Sequence, residues 1–337
     1  MPTPFRLEAT RGGIAESVHR VSVAVVDAQG RLVAEHGDPA LVAFWRSAAK
    51  PFQALPMVAD GVADRVGFAA RELALACASH SSEPVHLEVV DGMLRKVGIG
   101  EEALACGPHP PLSPAVAEQV LRHGITMTPR WSNCSGKHTA MVAMARAHGW
   151  PVPGYERAEH PLQQRILAEV ARWTGFAEDR IVQGVDGCTV VSFGLPLAAM
   201  ALAYARFGVS GEPAAVRLRE AMAGFPEMIG GRNRLCTDLG LAARGTVIAK
   251  LGADGVYCAA LPGPGLGVAL KVEDGDMLSL GPALLGVLRA LAERLPLGFD
   301  PAGLGAAVDR HAEIPIHNTR GAVTGTLRAT GALRFPD

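Results

Sequence analysis

The chain lacks the usual marks of an exported or membrane protein. Residues 1–10 are mixed in character, with no basic stretch followed by an apolar one, so no export signal is expected. No apolar run reaches membrane-spanning length; residues 195–205 are the best candidate and are too short. An excess of charge is also missing, since 32 basic residues against 33 acidic ones give a formal charge of -1. That argues against nucleic acid as the main partner. Cysteine is sparse and scattered, at Cys77, Cys106, Cys134, Cys188, Cys236 and Cys258, with no Cys-x-x-Cys pair. Without export, disulfides are not expected, and burial as small apolar side chains accounts for most of the six. Asn133-Cys134-Ser135 has the form of a glycosylation sequon, which a cytoplasmic chain would not use. No repeat of 20–50 residues is visible. The expectation is a cytoplasmic protein with neither a membrane nor a nucleic-acid partner.

What is present is material for a core. The chain has 337 residues, 49% hydrophobic and 19% charged, enough for one large domain or two intimately packed ones and too apolar for disorder. Residues 20–26 alternate in β-branched fashion, turn at 27–30 and resume at 31–35, which predicts a hairpin. Helices are predicted over residues 69–78, 85–97 (capped by Ser82), 114–123, 134–148, 161–174 and 214–223, and a long one over 274–295. After Gly245 the texture changes. Residues 246–251, 255–260 and 267–272 are short runs divided by glycine turns, which read as consecutive antiparallel strands, and 321–329 has strand character. Strands at both ends and helices between them predict an α+β fold in the wider α/β class. Its mixed, mainly antiparallel sheet would come from the N- and C-terminal strands, with flanking helices and an inserted helical subdomain. The expected organisation is one domain over 1–337, with a sheet part at about 1–60 and 240–337 and a helical part at about 61–239.

Four polar clusters stand out. Ser47 and Lys50 are three apart, and on a helix such positions share a face. Pro51 is tolerated in a first turn, so the helix is expected to begin near Arg46 or Ser47. A lysine kept neutral by burial or a nearby cation can take a serine proton, which is the minimum equipment for acyl transfer without histidine. The second cluster is Ser79-His80-Ser81-Ser82, where capping accounts for one hydroxyl and leaves Ser79 unexplained. The third is Lys250-Leu-Gly-Ala-Asp-Gly255, a lysine at a strand end followed by a glycine that lets a ligand approach the backbone. The fourth joins Cys134, Lys137 and His138 to Asp186 and Cys188, whose two thiols suit a soft divalent metal. A helix start and a glycine turn would explain the same residues. Gly263-Pro-Gly-Leu-Gly267 lies between short strands with no following helix, which excludes a dinucleotide loop. His80, His86 and His109 have no metal-ligand spacing.

Taken together, the stretches Arg46-Ser-Ala-Ala-Lys-Pro-Phe-Gln53, Ala78-Ser-His-Ser81, Asn133-Cys-Ser-Gly-Lys-His138, Val185-Asp-Gly-Cys188 and Lys250-Leu-Gly-Ala-Asp-Gly-Val256 resemble the asparaginase II family of the Rhizobium etli type. The likeness spans roughly residues 15–290. It implies a fold related to serine β-lactamases and glutaminases, a homodimer, and hydrolysis of L-asparagine to aspartate and ammonia. It implies two serine–lysine pairs, Ser47 with Lys50 and Ser79 with Lys250. It also implies a metal site, usually zinc, on Cys134, Lys137 and Cys188, and puts Arg46, His80, His138, Asp186 and Cys236 on the substrate side. Leu251 departs from the pattern, because a threonine is more usual after the strand lysine. Two other readings remain open at this stage. One is a penicillin-recognising hydrolase or peptidase; the other is a non-catalytic amino-acid or zinc-binding protein on the same fold.

Overall fold

The computed structural model describes residues 3–336. The chain forms two compact units. One takes the chain up to Ala48, returns with Leu195–Val209, and takes everything from Ala242 onward; the other takes Ala49–Gly194 and Ser210–Leu241. The fold class is α+β with antiparallel sheets.

The first unit is built on the strand Val21–Asp27, all of whose residues are buried. It makes the predicted hairpin with Leu32–His36. The turn is set by Asp27, whose carboxylate accepts the N–H groups of Gln29 (2.9 Å) and Arg31 (3.0 Å) and so closes the chain locally. On its other edge Val21–Asp27 pairs with Leu266–Val272, which pairs with Val256–Leu261, which pairs with Ile248–Leu251. The three predicted C-terminal strands thus extend the N-terminal hairpin into a five-stranded antiparallel sheet.

A second sheet joins the chain ends, in the order Glu313–His317, Val323–Thr330, Arg6–Arg11, Ile14–His19. N- and C-terminal strands therefore do combine, but they are divided between two sheets. The hairpin Arg6–Arg11/Ile14–His19 was not foreseen. Its second strand is exposed along nearly its whole length, so it carries no alternation to read. The apolar run 190–205 is split at Pro196 into the strand Val191–Pro196 and the helix Leu197–Val209. The helix predicted over 274–295 is shorter, Leu280–Ala292, because Asp276 accepts the Ser279 N–H (2.8 Å) and holds the preceding residues in turns.

The second unit packs around the helix Lys50–Ala59, buried at every position from 50 to 58. It is surrounded by the helices Ala70–Ala76, Ser135–Ala147, Pro161–Thr174 and Pro213–Gly224. Close approach needs glycine at one point: a Cβ on Gly136 would stand 2.5 Å from the Leu75 carbonyl. The helix Pro84–Val97 is capped by Glu83, whose N–H is taken by the His86 ring, and not by Ser82. The Ser82 hydroxyl is committed elsewhere, donating to the Trp131 carbonyl (2.7 Å). Among the described residues, no helix is long and apolar enough to cross a membrane.

In the sheet unit, the helix Leu197–Val209 lies so close to Leu266–Val272 that a Cβ on Gly267 would stand 1.9 Å from the Ala201 carbonyl oxygen and 2.4 Å from the Ala205 nitrogen. Backbone cannot yield as a side chain can. Gly267→Ala is therefore expected to cost at least the roughly 1–3 kcal/mol of an overpacked core, read as a lowered midpoint in thermal or urea unfolding.

Candidate active site

The predicted start near Arg46–Ser47 is a 3-10 turn, Arg46–Ala49, that runs directly into the helix Lys50–Ala59 with Pro51 in its first turn. Ser47 is half-buried there, and its hydroxyl makes no hydrogen bond among the described residues. Lys50 is fully buried. A buried amine must find acceptors, and three oxygens are at hand, with the Cys134 thiol beside them. Lys50 Nζ donates to the Ala78 carbonyl, lies 3.0 Å from the Ser79 hydroxyl, and is 3.5 Å from the Asn133 carbonyl. Two of these are fixed acceptors. The third can reverse: Ser79 Oγ accepts from the ammonium form and donates to the neutral amine. The contact between Lys50 and Ser79 is thus a path along which a proton can move.

The loop that carries Ser79 is rigidly held. Its N–H groups and hydroxyls are taken one after another: Ser79 N–H by Ile229 O (3.0 Å), His80 N–H by Asn133 O (3.3 Å), Ser81 hydroxyl by Gly230 O (2.6 Å). Gly231, at φ +101°, passes so close that a Cβ would lie 2.9 Å from that of Ser81. His80 is fully buried, and hydrogen bonds occupy both of its ring nitrogens. Nδ1 accepts the Ser82 N–H, so the proton is on Nε2 and is donated to Ser135 Oγ at 2.9 Å. His86 repeats the pattern, accepting from Glu83 N–H and donating to Glu227 O (2.9 Å). The two rings stack at 5.3 Å. Burial holds both rings below the ordinary histidine pKa; for His80 the neighbouring His86 and Lys50 add to the shift.

The cysteine cluster adjoins this loop. Asn133 offers its carbonyl to Lys50, and its side-chain oxygen accepts from Cys134 Sγ at 3.1 Å. Cys134 and Cys188 share a hydrogen bond, and Lys137 Nζ lies 3.1 Å from Cys188 Sγ. The bond from Cys188 holds Cys134 well below the ordinary thiol pKa against the opposing effect of burial, and Cys188 is raised in turn. Burial disfavours the Lys137 charge, but Cys188, Cys134 and Asp186 together keep it protonated. One shared thiolate beside one ammonium is a neutral way to bury three ionisable groups. A soft divalent ion would replace those protons, and two thiols with an amine are a donor set that suits zinc once the lysine is deprotonated. Among the described residues, no group of three or more His, Cys, Asp or Glu could hold a metal, so a three-donor site here needs a donor of another type, and Lys137 beside Cys188 is one.

Next to it, His138 Nδ1 is bonded to the Tyr155 hydroxyl, which also accepts the Ala105 N–H (2.9 Å). His138 Nε2 is buried, and the Cys188 backbone stands near the ring without a well-formed hydrogen bond to this nitrogen. Burial, then the charges of Lys137 and Lys50, push its pKa well down. Asp186 is half-buried in the turn before Cys188, accepting the Gly187 N–H (2.8 Å). Cys236 is buried in the helix Leu235–Ala243. All six cysteines are free and buried, and burial raises Cys106 to about 11 and Cys258 to about 12, as inert thiols.

In the sheet unit, Lys250 is fully buried on Ile248–Leu251, opposite Cys258, and donates to the Leu251 carbonyl (2.7 Å). Arg46 forms an ion pair with Asp254.

A family model for L-asparaginase II matches residues 7–329 of the chain. The chain belongs to the L-asparaginase II family. No curated protein matches it. Membership makes it one of a family of amidohydrolases, and the match covers every candidate site residue named above. Within this L-asparaginase II chain, sequence reasoning missed Ser135, Tyr155 and Asp254 as partners of His80, His138 and Arg46. Asp254 lies inside a motif already singled out. Tyr155 has no local signal, because it reaches His138 only through the fold.

His80 and His86 give the protein a defined acid sensitivity. Their folded pKa values lie below the unfolded value of 6.5, so the unfolded chain binds more protons in acid. Their contribution is complete above about pH 6.5 and is lost as pH falls from there toward the folded values. The thermal midpoint is expected to fall between about pH 7 and pH 5, and His86→Gln to flatten that slope, in a series of melts across pH.

Proposed function

We propose that the protein hydrolyses the side-chain amide of L-asparagine to L-aspartate and ammonia through a serine–lysine acyl-enzyme. One observation carries the reading: the fully buried Lys50 amine lies 3.0 Å from the Ser79 hydroxyl, inside an L-asparaginase II chain. Ser47 attacks the carboxamide carbon and gives its proton to Lys50. The tetrahedral intermediate collapses with loss of the C–N bond, and the leaving nitrogen takes a proton from Ser79, which Lys50 restores. Lys250 tunes Ser79. Water then adds to the ester, releasing aspartate and regenerating Ser47.

Substrate is held by groups around this path. His138 is a candidate contact because its neutral ring is buried beside Lys137 and the Cys188 backbone. Asp186 binds the α-amino group as an opposite charge, and Cys236 lines the same region. Cys134, Lys137 and Cys188 would hold zinc, which supplies a fixed positive charge able to orient one end of the substrate. The same reading takes the protein as a cytoplasmic homodimer.

The direct test is ammonia release from L-asparagine, and none would refute the reading. Ser47→Ala and Ser79→Ala are each expected to lower kcat by about a thousandfold or more, as losses of a nucleophile or proton relay do. If Ser47→Ala kept near-normal turnover while Ser79→Ala abolished it, the two serines would exchange roles. For the metal, elemental analysis is expected to find zinc in the purified protein and to lose it in Cys188→Ala. A chain with equal zinc before and after that change would place the metal elsewhere.

A further inference from the structure

The residues that precede Ser47 are pinned to one hairpin. The Trp45 indole N–H donates to Cys258 Sγ at 3.3 Å, and the Arg46 guanidinium pairs with the Asp254 carboxylate. On the far side, the Tyr204 hydroxyl donates to the Ala48 carbonyl at 2.7 Å. Cys258 stands directly opposite Lys250 in the strand ladder. Asp254 lies in the turn that joins the Lys250 strand, Ile248–Leu251, to Val256–Leu261. Two successive residues before Ser47 therefore end on the hairpin that carries Lys250.

The backbone shows that this arrangement is imposed. Arg46 has φ 54° and Asp254 has φ 49°. Aspartate visits this left-handed region with some ease, arginine rarely. A residue held there persists only where its surroundings over-determine it, and such positions gather at functional sites. At Arg46 the unusual φ turns the chain out of the strand Val42–Phe44 and into the 3-10 turn that holds Ser47. The ion pair borders a cavity of about 420 Å³ that also exposes Phe44, Lys271 and Glu273. Its carboxylate side is mostly in water, at 71% exposed, while the arginine is at 23%.

We propose that Arg46 is a positioning residue: its ion pair with Asp254 fixes Ser47 against the hairpin that carries Lys250. The inference rests on the reading of Ser47 and Lys250 as catalytic. Arg46 on this account acts through Asp254 and does not bind the substrate carboxylate.

Asp254→Asn removes the charge and keeps a residue that tolerates a left-handed backbone, so it isolates the ion pair. Ammonia release from L-asparagine by the full chain is compared for wild type, Asp254→Asn, Arg46→Asp and the swap Arg46→Asp/Asp254→Arg. Each single variant is expected to lose about tenfold in kcat, as a misplaced reacting group does, with KM little changed. The swap is expected to recover most of the loss. Wild-type kcat in Asp254→Asn, a swap no better than the singles, or a rise in KM alone on changing Arg46 would overturn the proposal. Hydrogen exchange gives a readout that needs no turnover. Amides of residues 42–49 are expected to exchange faster in the single variants and to regain protection in the swap. Unchanged exchange would overturn the proposal even if wild type released no ammonia, an outcome that separately refutes the asparaginase reading.

Discussion

The buried amine of Lys50 is the constraint on which the helical unit depends. Enclosing even a neutral polar group without hydrogen bonds costs roughly 2–7 kcal/mol, and a charged one more. A fully buried lysine is therefore tolerable only if oxygen atoms are delivered to it. They come from two separate segments, 78–79 and 133. Neither is regular structure, so each must be fixed by its own bonds. Residues 229–231 serve that purpose for the first, and the start of the helix Ser135–Ala147 serves it for the second. Much of the hydrogen bonding around residues 79–83 follows from this requirement.

The same requirement explains why the two polar clusters are contiguous. Asn133 faces both, with its carbonyl toward Lys50 and its side-chain oxygen toward Cys134. Every added ion in a dry region must be balanced, and here the balance is distributed. A thiolate answers Lys137, while His80 and His138 are kept neutral by burial and by nearby cations. Neutral histidines can then act as directional connectors with one donor and one acceptor each. His80 and His86 are both used in that way.

Much of this was legible in the chain. The hairpin Val21–Asp27/Leu32–His36 declared itself by alternation and a turn that runs from Asp27 to Gly30, and the three C-terminal strands by their glycine punctuation. The motif stretches stood out because polar residues are scarce in so apolar a chain. What stayed hidden has physical reasons. Ile14–His19 is exposed at nearly every position, so pattern carries no information about it. Ser82 has the chemistry of a helix cap, but a nearer tertiary acceptor, the Trp131 carbonyl, won its hydroxyl. Tyr155 and His138 meet by folding alone, and nothing in their spacing of 17 residues announces the bond.

Leu251 shows how a departure from a family pattern can be judged on structure. A hydroxyl is more usual at this position, and its loss put the role of the Lys250 strand in question. Yet the bond that orients the Lys250 amine runs to the carbonyl of residue 251, 2.7 Å away. A main-chain carbonyl is present whatever side chain stands there. Across the ladder, its strand partner Cys258 is held by the Trp45 indole. Backbone and strand pairing both contribute to the position of Lys250, and leucine preserves both. What leucine removes is one polar side chain beside the lysine, so the substitution bears on what the strand offers a ligand and leaves the bond to the 251 carbonyl in place.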